Sequence, residues 1–127
     1  MSLGLSTTLR TTRATDIVTA LGANAKIKFY NGTQPATGGT ATTLLGTLIG
    51  GASVIGTVTS GVLTFGAVTQ TNSSHVSGTP TWVRFTTSAD VFVADINIGA
   101  GGMTFTGTIA TGVDITLGAS TITEGNV

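Results

Sequence analysis

Residues 25–32 read Ala25-Lys26-Ile27-Lys28-Phe29-Tyr30-Asn31-Gly32, and this stretch decides the fold class. Lys26, Lys28 and Tyr30 alternate with Ile27 and Phe29, the period-two pattern of a strand with one buried face. Asn31-Gly32 closes it with a turn signal, because both residues tolerate positive φ. Further strand patterns follow at residues 43–49, 53–59, 62–65, 81–87, 91–98, 103–109, 113–117 and 120–123. Residues 67–71 read as a continuation of 62–65 past a bulge at Gly66. Ser60-Gly61 joins two of the strands in a hairpin, and Ser88-Ala89-Asp90 turns another pair. About eight short strands, recurring roughly every ten residues, suggest an all-β antiparallel sandwich or barrel rather than an α/β fold, and the expected form is a sandwich, jelly-roll-like or Greek-key.

On the N-terminal side of the first strand the pattern is different. Residues 6–21 contain no glycine or proline, and Leu5, Leu9, Ile17, Val18 and Leu21 fall near helical spacing. Ser6 or Thr7 can cap the start, and Gly22 stands where a C′ glycine belongs. One helix is predicted, with Arg13 interrupting the row 9-13-17-21. Threonine lowers its intrinsic propensity, so it needs packing to persist. The chain thus divides into an N-terminal helical arm at 1–24 and a β-sandwich domain at 25–127.

Composition narrows the function. The 127 residues include 19 glycines and 28 threonines, no cysteine, and five basic against five acidic residues. Charged residues are 8% of the chain, against about 25% in ordinary soluble domains. A coiled coil, a charged disordered tail and a disulfide-stapled miniprotein are excluded. Few cations argue against nucleic-acid binding, which depends on neutralising phosphates. The mean hydropathy of +0.44 looks membrane-like, but threonine and glycine break every apolar run well short of the roughly 18 residues a spanning helix needs. Arg10 and Arg13 lie where the apolar part of a signal peptide would be, so synthesis and folding in a cytoplasm are expected.

Residues with chemical potential are scattered. His75, the single histidine, has no cysteine or carboxylate close in sequence and is read as an exposed loop residue. Asp90, Asp95 and Asp114 fall on different strands or turns and show no calcium-loop spacing. Gly38-Gly39, Gly50-Gly51 and Gly101-Gly102 lack the context of a phosphate loop. No catalytic residue, metal ligand or cofactor site is assigned. Phe29, Phe65, Trp82, Phe85, Phe92 and Phe105 read as core. Trp82 and Phe85 lie on opposite faces of an ideal strand, so one points outward or across an interface unless both faces are buried or a bulge intervenes. Charge is asymmetric: Arg10, Arg13, Lys26 and Lys28 stand against Asp16 in residues 1–28, while Arg84 stands against Asp90, Asp95, Asp114 and Glu124 thereafter. Either the basic face of the helix is simply solvated, or it docks on an acidic surface of a neighbouring subunit.

Four segments carry a resemblance. The opening Met1-Ser2-Leu3-Gly4-Leu5-Ser6-Thr7-Thr8-Leu9-Arg10 leads through the helix to Tyr30-Asn31-Gly32-Thr33-Gln34-Pro35. Gly78-Thr79-Pro80-Thr81-Trp82-Val83-Arg84 follows, and then Ala94-Asp95-Ile96-Asn97-Ile98-Gly99. Together they resemble short bacteriophage and prophage virion structural proteins of the capsid decoration, or cement, type. The resemblance implies a non-enzymatic protein on the capsid exterior that binds the major capsid protein lattice. It also implies a homo-oligomer, dimer or trimer, with no cofactor, nucleic acid or membrane partner. The alternative within the same setting is a tail, spike or fibre component that binds a receptor or glycan. Leu5, Leu9, Arg10, Arg13 and Ile17 on the N-terminal helix are the candidate partner-binding residues. The same helix could instead cap an open side of its own sandwich.

Overall fold

A computed structural model describes residues 4–50, 56–65, 68–70, 75–99, 102–103, 105, 108–113, 115–117 and 120–123. Among these the chain is an all-β antiparallel sandwich with one helix at its start. The helix α1 spans Thr7–Leu21, and the strands are β1 (Lys26–Tyr30), β2 (Leu44–Ile49), β3 (Gly56–Thr59), β4 (Val62–Phe65), β5 (Val68–Gln70), β6 (Trp82–Thr86), β7 (Phe92–Asn97), β8 (Ile115–Leu117) and β9 (Ser120–Thr123).

Helix α1 starts and stops where its capping residues dictate. The Ser6 hydroxyl accepts from the Leu9 amide at 3.2 Å, and the Gly22 amide returns to the Val18 carbonyl at 3.2 Å. Gly22 has φ 67°, a conformation that glycine adopts without steric cost. Its threonines are tolerated because their hydroxyls bond back one turn: Thr11 to the Thr7 carbonyl at 2.9 Å and Thr15 to the Thr11 carbonyl at 2.8 Å. The packed face is not the row 9-13-17-21. Ala14, Val18 and Leu21 are buried, with Ile17 half-buried beside them, while Leu9 and Arg13 face outward. Ala14 is small enough to bring the helix close to the sheets, so Arg13 interrupts nothing.

One sheet has the order β2-β1-β6-β7, two hairpins joined side by side through β1 and β6. A three-stranded sheet has the order β3-β4-β9, and β5 pairs with β8. The pairs Phe65–Ser120 and Val68–Leu117 keep one register across the interval between them. Gly66, read from the sequence as a bulge, lies outside the described residues. Register shifts occur at Phe29/Tyr30 and at Phe85/Thr86. Residues 103–109, expected as a strand, contribute only isolated bridges in their described part, Ile98–Met103 and Gly78–Ile109.

The core lies between the sheets. Ile27, Phe29, Leu48, Val83 and Phe85 from one side meet Leu63, Phe65 and Ile115 from the other, and Phe65 stacks on Phe85 at 5.4 Å. Val18 and Leu21 of α1 belong to the same cluster, so the helix covers a side of the sandwich. No helix is long and apolar enough to cross a membrane among the described residues.

Candidate functional site

The faces of the four-stranded sheet follow from strand parity. Ile27, Phe29, Val83 and Phe85 point to the core, so Lys26, Lys28, Tyr30, Trp82 and Arg84 share the opposite face. That outer face is not bare. Residues 31–43, between β1 and β2, fold back over it as a strap. Trp82 is fully buried beneath the strap and stacks on Tyr30 at 4.4 Å. Its indole N–H donates to the Asn31 carbonyl at 3.3 Å and to the Thr42 hydroxyl at 3.1 Å. Both faces of the sheet are therefore buried at β6, which resolves the opposite directions of Trp82 and Phe85.

Arg84 is the centre of this layer. Its Nε donates to Asp95 Oδ1 at 2.7 Å and its Nη2 to Asp95 Oδ2 at 2.8 Å, a bidentate fork. The same Nη2 donates to the Gly39 carbonyl in the strap at 2.8 Å. The guanidinium also lies 5.3 Å from the Trp82 ring centre and 5.2 Å from that of Phe92. Only 13% of the Arg84 side chain and 4% of the Asp95 side chain remain exposed. The hydrogen bond to Asp95 raises the Arg84 pKa above its ordinary value, against the opposing effect of burial.

Two more strap contacts complete the lock. The Thr81 hydroxyl donates to the Gly32 carbonyl at 2.6 Å, and the Thr42 hydroxyl donates to the Asn31 carbonyl. Gly38, at φ 68°, lies over Phe92 so closely that a Cβ would come within 3.0 Å of the ring. Phe92, expected in the core, instead sits on the outer face at 40% exposure. The shift at Phe85/Thr86 pairs it with Thr86, which turns its ring to the Arg84 side.

Beside this layer, Lys26 and Lys28 converge on Asp90 at 2.9 and 2.7 Å. Hydrogen bonds from Lys28 and then Lys26 lower the Asp90 pKa to about 2. These lysines neutralise an acid of their own chain, which absorbs part of the charge asymmetry between its two ends.

His75 is a correction: it is buried, not exposed. A Cβ on Gly46 of β2 would fall 2.8 Å from its Nδ1, so the absence of a side chain there makes room for the imidazole. Its carbonyl accepts from the Thr111 hydroxyl at 2.8 Å, and the Val76 amide donates to Leu45 at 2.8 Å. The segment is thus held against β2, and His75 Nε2 has no hydrogen-bond partner among the described residues. Asp114 lies outside the described residues. No group of three or more potential metal ligands occurs among those described.

The helix residues expected to bind a partner do not form one patch. Leu9 and Arg13 are exposed, and Leu5 is half-buried. Arg10 is half-buried against the turn at Gly61, where a Cβ would lie 2.9 Å from its own, and it donates to the Thr7 hydroxyl at 3.2 Å. Ile17 faces the core side and lines a cavity.

Asn31, Gly32, Thr81, Trp82, Arg84 and Asp95 all belong to three of the four segments that carry the resemblance, and all meet in the strap layer. Comparison with family models, curated proteins and solved structures gave no match.

Proposed function

We propose that the protein is a non-enzymatic virion structural protein that decorates a capsid, binding the major capsid protein lattice from outside and stabilising the shell. One observation supports the reading above others. The residues most able to do chemistry, Arg84 and Asp95 with the ring of Trp82, are spent on fastening a strap to a sheet. The motifs of the resemblance thus encode a rigid scaffold, and a rigid scaffold works through its surface.

That surface suits close packing among neighbours. Leu9, Val76, Val91 and Val113 are each at least 46% exposed, and formal net charge is zero. Symmetry multiplies weak contacts of this kind into a stable coat of dimers or trimers. The test is add-back: shells lacking the protein are titrated with the purified chain, and their thermal disruption is followed by light scattering. Saturable binding with a raised disruption temperature is expected. Saturating protein that leaves the shells unchanged would sink the proposal.

A further inference from the structure

Four hydrogen bonds fix the backbone where β1 passes into the strap. The Asn31 amide donates to the Thr43 carbonyl at 3.2 Å, one step beyond the Tyr30–Leu44 pair, so the extended course of β1 carries on to this residue. The Asn31 carbonyl accepts from the Trp82 indole and from the Thr42 hydroxyl. The Gly32 carbonyl accepts from the Thr81 hydroxyl. Two groups at the same turn are left unheld. Neither the Gly32 amide nor the Asn31 side-chain amide has a hydrogen-bond partner among the described residues, and Gly32 is exposed with Asn31 half-buried.

These two groups can react with each other, with water as the only co-reactant. The Gly32 nitrogen gives its proton to water or hydroxide and attacks Asn31 Cγ. The new N–Cγ bond closes a five-membered imide, the Cγ–Nδ2 bond breaks, and ammonia leaves carrying a proton. Water then opens the ring on either side of the nitrogen. Cleavage of N–Cγ leaves an aspartate. Cleavage between the nitrogen and the former Asn31 main-chain carbonyl leaves an iso-aspartate, whose chain runs on through Cβ and Cγ. Nothing is oxidised or reduced. Glycine suits the attack because it sets no Cβ beside the nitrogen.

The fold controls the geometry of this step. To close the ring, the Gly32 nitrogen must swing to the side of the Asn31 Cβ, a large rotation about ψ away from extended backbone. That rotation turns the Asn31 carbonyl away from Trp82 and Thr42 and draws the Gly32 carbonyl off Thr81. A local opening of the strap has to come first.

We propose that Asn31-Gly32 is a self-modification site guarded by the closed strap: it loses ammonia when the strap opens, and the iso-aspartate product keeps the strap from closing again. In that product the chain to Gly32 is one methylene longer, which displaces the Gly32 carbonyl from Thr81. A carboxylate also stands where a neutral carbonyl met the buried indole, and charge under the strap is costly. The site goes beyond the shell-binding reading and does not rest on it.

The full chain is incubated at pH 8, and conversion at Asn31 is followed by peptide mapping with fragmentation that separates aspartate from iso-aspartate. A synthetic peptide of residues 28–34, capped at both ends, gives the rate without the fold. The parent chain should react about tenfold or more slowly than the peptide, because three hydrogen bonds must open. Thr81→Val removes one of the three and should speed conversion in the folded chain several-fold, as should Trp82→Phe. Should either variant fail to fold, the parent compared with the peptide still decides. Equal rates for parent and peptide would overturn the proposal, and so would folded variants that react no faster than the parent. The iso-aspartate form, separated by ion exchange, should show altered fluorescence from Trp82, the single tryptophan, and a lower urea midpoint. A spectrum and midpoint unchanged from the parent's would overturn the claim that the strap stays open.

Discussion

Replacing Arg84 by alanine tests the strap layer where it is most concentrated. The substitution removes a bidentate ion pair, the hydrogen bond to Gly39 and the cation between the Trp82 and Phe92 rings. It also strands the Asp95 carboxylate at 4% exposure. Breaking a buried pair from one side costs about 3–5 kcal/mol, most of it the penalty of the charge left behind. With a urea m-value of about 1–3 kcal/mol/M for a chain of this size, the midpoint should fall by roughly 2 M. The double variant Arg84→Met with Asp95→Leu removes both charges and should return to within about 1–2 kcal/mol of the parent. Equilibrium urea unfolding at pH 7, followed by Trp82 fluorescence, reads all three. A single-variant cost below about 1 kcal/mol, or a double variant as unstable as Arg84→Ala, would refute the view that this pair is buried and mutually dependent.

Four further outcomes follow. Trp82→Ala should cost about 3–5 kcal/mol and Trp82→Phe about 1–2 kcal/mol, the smaller figure reflecting the lost indole bonds to Asn31 and Thr42; urea unfolding distinguishes them. Asp90 has its pKa lowered from 3.8 to about 2, so its pairing with the lysines stabilises the fold above pH 4 and is lost as pH falls through 2. Melting curves of the parent and Asp90→Asn should therefore differ at pH 5 and converge by pH 2; a constant offset would contradict this. Gly46→Ala would drive a methyl into Ile115 and His75 and should cost about 1–3 kcal/mol by urea unfolding, whereas an unperturbed variant would mean that His75 is free to move aside. Leu9→Ser with Arg13→Glu changes two exposed helix residues and should lower occupancy on shells with little change in melting temperature. Arg10 is the poorer choice for that test because it packs on Gly61.

The helix ends were legible because capping is local chemistry: Ser6 and Gly22 act within one turn of themselves. The strands were legible because parity is local too, and β1, β2, β4 and β6 stand where alternation puts them. The turn at Ser88-Ala89-Asp90 also contained more than was taken from it. Folding the chain about it sets residue 87 opposite 91 and so Arg84 opposite Ala94, one residue short of Asp95; the register shift at Phe85/Thr86, which alternation does not show, completes the ion pair. The strap was not legible. Its bonds join carbonyls of Asn31, Gly32 and Gly39 to side chains more than 40 residues away, and a carbonyl has no signature in the residue type that bears it. The burial of His75 was hidden for a similar reason, since it depends on a missing side chain at Gly46 across the sheet edge. The helix face was misjudged because apolar spacing favoured Leu9, while close packing chose Ala14.

Copy number in purified particles tests the central claim most directly. Quantitative mass spectrometry against the major capsid protein gives it without any assumption about the docking surface. A decoration protein repeated by icosahedral symmetry should be present on the order of hundreds of copies per particle. A few dozen copies or fewer would place the chain at a tail, spike or vertex, and absence from particles would contradict a virion role altogether.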